Sequence, residues 1–192
     1  MKELEEKILA EGQVYPGNIL KVGSFLNHQI NVDFLMRMGA EIARLYDGAG
    51  VNKILTIEAS GIAIAVAAAS YLHVPMVFAK KSKSQNIAGD VYVAQVYSYT
   101  HGNTNAVVVQ RDVLAPTDRV LIIDDFLANG QALRGLIDIV RQAGGTFVGA
   151  AIAIEKTFQG AGDRMRAEGL RVESLAMIES MDNQSIRFRT SV

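Results

Sequence analysis

The chain has no cysteine, only three prolines and almost no net charge. The missing thiol removes disulfides, thiolate metal sites and cysteine nucleophiles together, and it suits a reducing compartment. The balance of 19 basic against 20 acidic side chains lacks the basic excess of a nucleic-acid or membrane-surface binder, so neither partner is expected. The three histidines, His28, His73 and His101, have no metal-like spacing. No repeat, low-complexity tract or Pro/Ser-rich linker interrupts the chain. The N-terminal MKELEEKILAEG is charged and carries no apolar core for a secretory signal. The most apolar long stretch, Ile54 to Leu72, is broken by Glu58, two serines and Gly61, which argues against a membrane span. A cytoplasmic domain is the expectation.

What the chain does have is apolar mass. Of 192 residues 49% are hydrophobic and 20% charged, enough for one domain with a sizeable core. Helical periodicity is clear over 2–10, 33–47 and 130–143, where Leu133, Leu136, Ile137 and Val140 share a face and Gly144-Gly145 stops the run. An Ala/Ile/Val-rich helix follows Ser60-Gly61 and is apolar nearly all round, so burial is expected. The runs 53–58, 119–125 and 147–154 are near-continuous apolar strands of the kind buried in parallel sheets. Residues 91–98 and 106–110 read as an antiparallel hairpin. Further strands are expected at 76–81, near 172–178 and at 186–188. The alternation predicts a doubly wound α/β sheet with its ligands at the carboxyl ends of the strands. Those ends carry Glu58, Asp124-Asp125 and Glu155-Lys156.

The segment VLIIDDFLANGQA, residues 120–132, carries the most chemistry. A strand delivers Asp124 and Asp125 to its end, and a loop with Ala128 and Gly130 turns into a helix. Small loop residues let backbone N–H groups approach an anion, and the helix N-terminus adds partial positive charge. Two acids before an anion cradle make sense if the ligand offers hydroxyls as well as a phosphate. The plain alternative is a strand end followed by an Asn129 helix cap. EASG, residues 58–61, opens a second strand-to-helix turn of the same kind, or is simply a tight turn. KKSKS, residues 80–84, is either a solvated basic loop or a cationic clamp.

VLIIDDFLANGQA resembles the signature of type I phosphoribosyltransferases: apolar strand, acid pair, short loop, glycine, helix. Many members carry threonines around the loop glycine. Here Asn129, Gln131 and Ala132 stand there, and ANGQA is similar to the bacterial xanthine-specific branch. YPGNILKVGSFLNHQI near the N-terminus and IEKTFQ later extend the resemblance over essentially the whole chain.

The resemblance implies a single α/β domain over 1–192, with a central mostly parallel sheet flanked by helices. A small hood would be built from about 14–30 and 156–190, and a mobile loop from about 82–105. It implies transfer of the 5-phosphoribosyl group from phosphoribosyl pyrophosphate (PRPP) to xanthine, giving xanthosine 5′-monophosphate for purine salvage. Asp124, Asp125 and Lys81 would act at the reacting centre. Ala128, Asn129, Gly130, Gln131 and Ala132 would hold PRPP with Ser60 and Gly61 of the pyrophosphate loop. Leu20, Asn27 and Lys156 would hold xanthine, with Phe158 a stacking face. Mg²⁺ would arrive with PRPP rather than at a dedicated protein site, and a homodimer is expected. Some purine enzymes place an acid where Ala128 stands here, so no general base is assigned. Guanine, hypoxanthine or adenine remain alternative acceptors. A PRPP-sensing regulator is a further alternative, which the short N-terminal segment and neutral charge disfavour.

Overall fold

The computed structural model describes residues 1–82, 89–98, 103–182 and 185–189. Its centre is an eight-stranded sheet. The strands with continuous apolar sequence form its middle: β3 (Lys53–Ile57), β7 (Arg119–Leu127) and β8 (Thr146–Lys156). With β4 (Met76–Ser82) and β9 (Val172–Asp182) they make five parallel strands. The hairpin of β5 (Val91–Ser98) and β6 (Asn103–Gln110) extends one edge antiparallel, and β10 (Ser185–Phe188) extends the other. The order is β10-β9-β8-β7-β3-β4-β6-β5.

Strand β7 shows how the core divides. Its side chains alternate between the two faces, as the pleat requires. Leu121 and Ile123 join the layer beneath α1 (Lys2–Glu11), α2 (Val32–Leu45) and α3 (Gly61–Leu72). Val120 and Ile122 join the opposite layer, beneath α4 (Gln131–Gln142) and α5 (Ala161–Ala167). A strand buried on both faces has no polar side to show, which explains its unbroken apolar run.

The connections position the site. From β3 the chain passes through α3 to β4, stepping one way along the sheet. From β7 it passes through α4 to β8 and α5 to β9, stepping the other way. The stepping direction therefore reverses between β3 and β7, which pair directly. The loops leaving their carboxyl ends splay apart there and leave a crevice for a ligand.

Several elements differ from the expectation or were not foreseen. Helix α3 is not buried all round, because Val66 is 52% and Tyr71 45% exposed. Its alanines Ala65, Ala67 and Ala68 face inward instead. A small hairpin, β1 (Gln13–Tyr15) with β2 (Ile19–Lys21), turns through Gly17 and Asn18, both at positive φ, and a π-helical turn follows over Gly23–Asn27. Within the expected hood span of about 156–190, residues 172–182 and 185–188 run as β9 and β10 in the main sheet. Within the expected 82–105 loop, 91–98 and 103–105 are strand; 83–88 and 99–102, including His101, lie outside the described residues.

Helices α2 and α3 pack closely where Gly39 meets Ala67. A Cβ at Gly39 would lie 2.6 Å from the carbonyl carbon of Ala67 and 2.8 Å from its Cβ. Alanine in a helix interior normally gains about 1 kcal/mol over glycine, but overpacking costs about 1–3 kcal/mol. Gly39→Ala is expected to lower the thermal midpoint by roughly 2–8 °C, measured by circular dichroism.

Candidate active site

The carboxyl end of β7 brings Asp124 and Asp125 to the crevice as adjacent residues. Asp124 is only 6% exposed. Its Oδ1 accepts the backbone N–H of Asp125 at 3.0 Å. Burial pushes its carboxyl well above the usual range, and the charge of Asp125 pushes it further, while Lys81 opposes them. Asp125 is more open, and its Oδ2 accepts from Asn27 Nδ2 at 3.2 Å. Asn27 of the π-helical turn and Asp125 of the strand thus meet although 98 positions separate them.

The loop after Asp125 runs to the start of α4. Gly130 holds φ +85, a left-handed conformation that disfavours any side chain. A Cβ there would also lie 2.9 Å from Met165 Cε and 3.1 Å from Ala161 Cβ. Asn129 Oδ1 accepts the backbone N–H of Gln131 at 3.0 Å, an Asx turn that leads into α4, whose N-cap residue is Gly130. Ala128, Gln131 and Ala132 are half-buried around it. No acidic side chain sits in the first turn of α4, which leaves its N-terminal positive field open to an anion.

Helix α3 opens the same way. Ser60 precedes it without bonding its own helix, and its first turn also lacks an acid. Gly61 lies against the acid pair: a Cβ there would be 2.2 Å from Thr56 Oγ1 and 3.2 Å from Asp124 Oδ1. The Glu58–Ala59 peptide bond is cis. Glu58 Oε1 accepts the backbone N–H of Lys81 at 2.6 Å, which ties the end of β3 to β4 and leaves the Lys81 side chain exposed. Glu58 therefore serves the scaffold here.

The expected base side is built from three elements. Lys156, at the end of β8, donates to the carbonyl of Asn18 at 2.8 Å and lies 5.5 Å from the Phe126 ring centroid. Burial pulls its ammonium below the usual lysine range. Leu20 follows Asn18 by two residues and is buried in the layer under α1. Asn27 closes the group through Asp125, and its own Oδ1 is buried with no partner. Phe158 is 38% exposed in a short turn after β8. Phe126 is the aromatic that contacts Lys156, and it was hidden in the apolar run FL after the acid pair.

Glu155 was grouped with these charges by its place at the strand end. It is 1% exposed and engaged elsewhere. Arg166 grips it with two bonds at 2.5 and 3.0 Å, and Ser174 Oγ donates at 2.5 Å. It anchors α5 to the sheet. Asp118 is similarly committed, to Lys53 at 3.1 Å.

The phosphoribosyl transferase domain family matches residues 21–184, and the chain belongs to that family. Xanthine phosphoribosyltransferases of Heliobacterium modesticaldum and Bifidobacterium adolescentis are each 53% identical to it, covering 98% and 99% of this chain and 100% of each relative. The xanthine phosphoribosyltransferase of Bacillus cereus strain AH187 is 50% identical over 98% of the chain and 95% of its own length. Among solved structures, adenine phosphoribosyltransferase from Giardia lamblia superposes with a TM-score of 0.75 at 20% identity, covering 91% of this chain and 97% of that one. The Rhodothermus marinus adenine enzyme gives 0.73 at 22%, covering 92% and 99%. These structures share the fold.

The raised Asp124 has a consequence for stability. A carboxyl whose folded pKa is raised favours folding below its unfolded value, near 3.8, and that contribution is lost as pH rises toward the folded value. Asp124→Asn is therefore expected to melt higher than the parent in the absence of ligand. The gap should open from about pH 4 upward, as scanning calorimetry at a series of pH values would show.

Proposed function

We propose that the protein transfers the 5-phosphoribosyl group of PRPP to xanthine, releasing pyrophosphate and forming xanthosine 5′-monophosphate in purine salvage. The observation that carries this reading is the pair of acids at the β3–β7 reversal, flanked by two helix N-termini with no acid in their first turns. That arrangement suits a ligand with hydroxyls between two phosphate groups. Near full-length identity of about half to relatives named for xanthine supports the choice of base.

In this mechanism the C1–oxygen bond to pyrophosphate breaks and a bond from C1 to a base nitrogen forms. Positive charge develops on the ribose and negative charge on the leaving group. Asp124 and Asp125 bind the ribose hydroxyls and face the developing cation. Residues Ala128, Asn129, Gly130, Gln131 and Ala132 hold the 5-phosphate at the start of α4. Ser60 and Gly61 receive the pyrophosphate at the start of α3, and the exposed Lys81 supplies positive charge to it. No covalent enzyme intermediate is needed, which suits a chain without cysteine.

Lys156 donates to a 2-oxo group or to an anionic base, which adenine does not offer. Asn27 presents its unpartnered Oδ1 as an acceptor. Leu20 packs behind them and shapes the pocket. No acid occupies position 128, and the acidity of xanthine itself reduces the need for one.

Phosphoribosyltransferases generally use Mg²⁺ with PRPP. Among the described residues no three His, Cys, Asp or Glu side chains gather as a metal cage. Two carboxylates, one already bonded to Asn27, fit a cation held chiefly by the diphosphate. When bound, it neutralises charge on the leaving group. We also propose a homodimer in the cytoplasm. Val66, Tyr71 and Phe78 on α3 and β4 are exposed apolar groups suited to self-association. Among the described residues no helix is long and apolar enough to cross a membrane.

Pyrophosphate release assayed with xanthine, guanine, hypoxanthine and adenine tests the reading. Xanthine is expected to give the highest kcat/KM; a clear preference for adenine or hypoxanthine contradicts it. Lys156→Ala is expected to lower kcat/KM for xanthine about 10- to 100-fold, the worth of one bond to a charged group. PRPP affinity, followed by calorimetry, should change little. Unchanged xanthine kinetics would remove Lys156 from the site.

A further inference from the structure

Thr56 is a polar side chain in an apolar strand. It is fully buried, and its hydroxyl has no hydrogen-bond partner. A valine would fill the same shape with nothing left unsatisfied, whereas an orphaned buried hydroxyl carries the full desolvation cost of the group. Such a group calls for a reason.

Its surroundings supply one. Thr56 Oγ1 and Asp124 Oδ1 border the same small space at the start of α3, the space that a side chain at position 61 would fill. Gly61 keeps that space open. In the ligand-free protein Asp124 Oδ1 is occupied by the backbone N–H of Asp125. The charged groups acting on Asp124 are Asp125, which opposes its ionisation, and Lys81, which favours it. The hydroxyl of Thr56 is an uncharged donor bordering the same space as the carboxylate.

We propose that Thr56 is a positioning residue of the acid pair, its hydroxyl turning to donate to the Asp124 carboxylate when the ribose of PRPP is bound. The inference rests on Asp124 binding the ribose, as proposed above. The hydroxyl keeps its proton throughout and forms no covalent bond. It holds Asp124 ionised and oriented at the moment when the sugar becomes positively charged. A donor to the charged form favours that form, so its loss moves the carboxyl's titration to higher pH. The free hydroxyl is thus a bond withheld until substrate arrives.

The experiment measures kcat and kcat/KM for PRPP against pH in Thr56→Val, Thr56→Ser, Asp124→Asn and the Thr56→Val/Asp124→Asn double variant. Thr56→Val is expected to lose about tenfold, with the acid limb of the kcat profile, which reports the PRPP-bound enzyme, moved to higher pH. Thr56→Ser keeps the hydroxyl and should keep the limb in place. In the Asp124→Asn background the valine change should cost almost nothing further, since the partner charge is already gone. A valine variant within twofold of the parent overturns the proposal, as does an equal loss in both backgrounds. If Asp124→Asn itself leaves activity unchanged, the reading of Asp124 as a ribose ligand fails, and the proposal falls with it. Should the valine variant not fold, Thr56→Ala read against Thr56→Ser decides: a loss confined to alanine supports the proposal, and equal loss in both overturns it.

Discussion

Two adjacent carboxylates at the end of a doubly buried strand are a constraint that the surrounding structure has to meet. Asp124 is nearly inaccessible, and its neighbour repels its charge. A pair of this kind persists only with compensating donors and fields. The backbone N–H of Asp125, the side chain of Asn27 and the charge of Lys81 each come from a different element. The open N-terminus of α3 reaches Asp124 only because position 61 is glycine. Each of these features reads as a response to the same two acids. The cost falls on the stability of the ligand-free fold, and in the proposed function it is offset by affinity for a hydroxyl-bearing, increasingly cationic sugar.

The sheet topology explains why this occurs at one place. The stepping direction reverses between β3 and β7, so the loops after both strands flank one crevice. Helices α3 and α4 both begin there, and one helix N-terminus is available on either side of the acids. The N-terminal segment closes on the same end of the sheet: the β1–β2 turn receives Lys156, and the π-helical turn delivers Asn27 to Asp125. In the proposed function the donor and acceptor halves of the site therefore meet at Asp125.

Much of this was legible in the sequence, for identifiable reasons. The β7–α4 unit announces itself through an unbroken apolar run, an acid pair, a glycine and a helical stripe. Helices α1, α2 and α4 follow from periodicity, α3 from its apolar composition, and β3, β7 and β8 from their near-continuous apolar runs. The β1–β2 hairpin did not, because strands of three residues are too short for alternation to register. Helix α5 has seven residues, barely two turns. Glu155 looked like a site acid because its partner Arg166 lies 11 residues downstream and only the fold brings them together. Phe126 was masked by its apolar neighbours, and Thr56 by being an ordinary strand-forming residue.

In the proposed function the β7–α4 loop and the acid pair together grip a ribose 5-phosphate. A crystal structure of the protein with that sugar phosphate is the decisive measurement. Phosphate oxygens are expected about 2.7–3.2 Å from backbone N–H groups of residues 128–132, with the ribose hydroxyls on Asp124 and Asp125. A sugar phosphate bound in that crevice with its hydroxyls turned away from both acids, or bound elsewhere on the protein, would contradict that proposal.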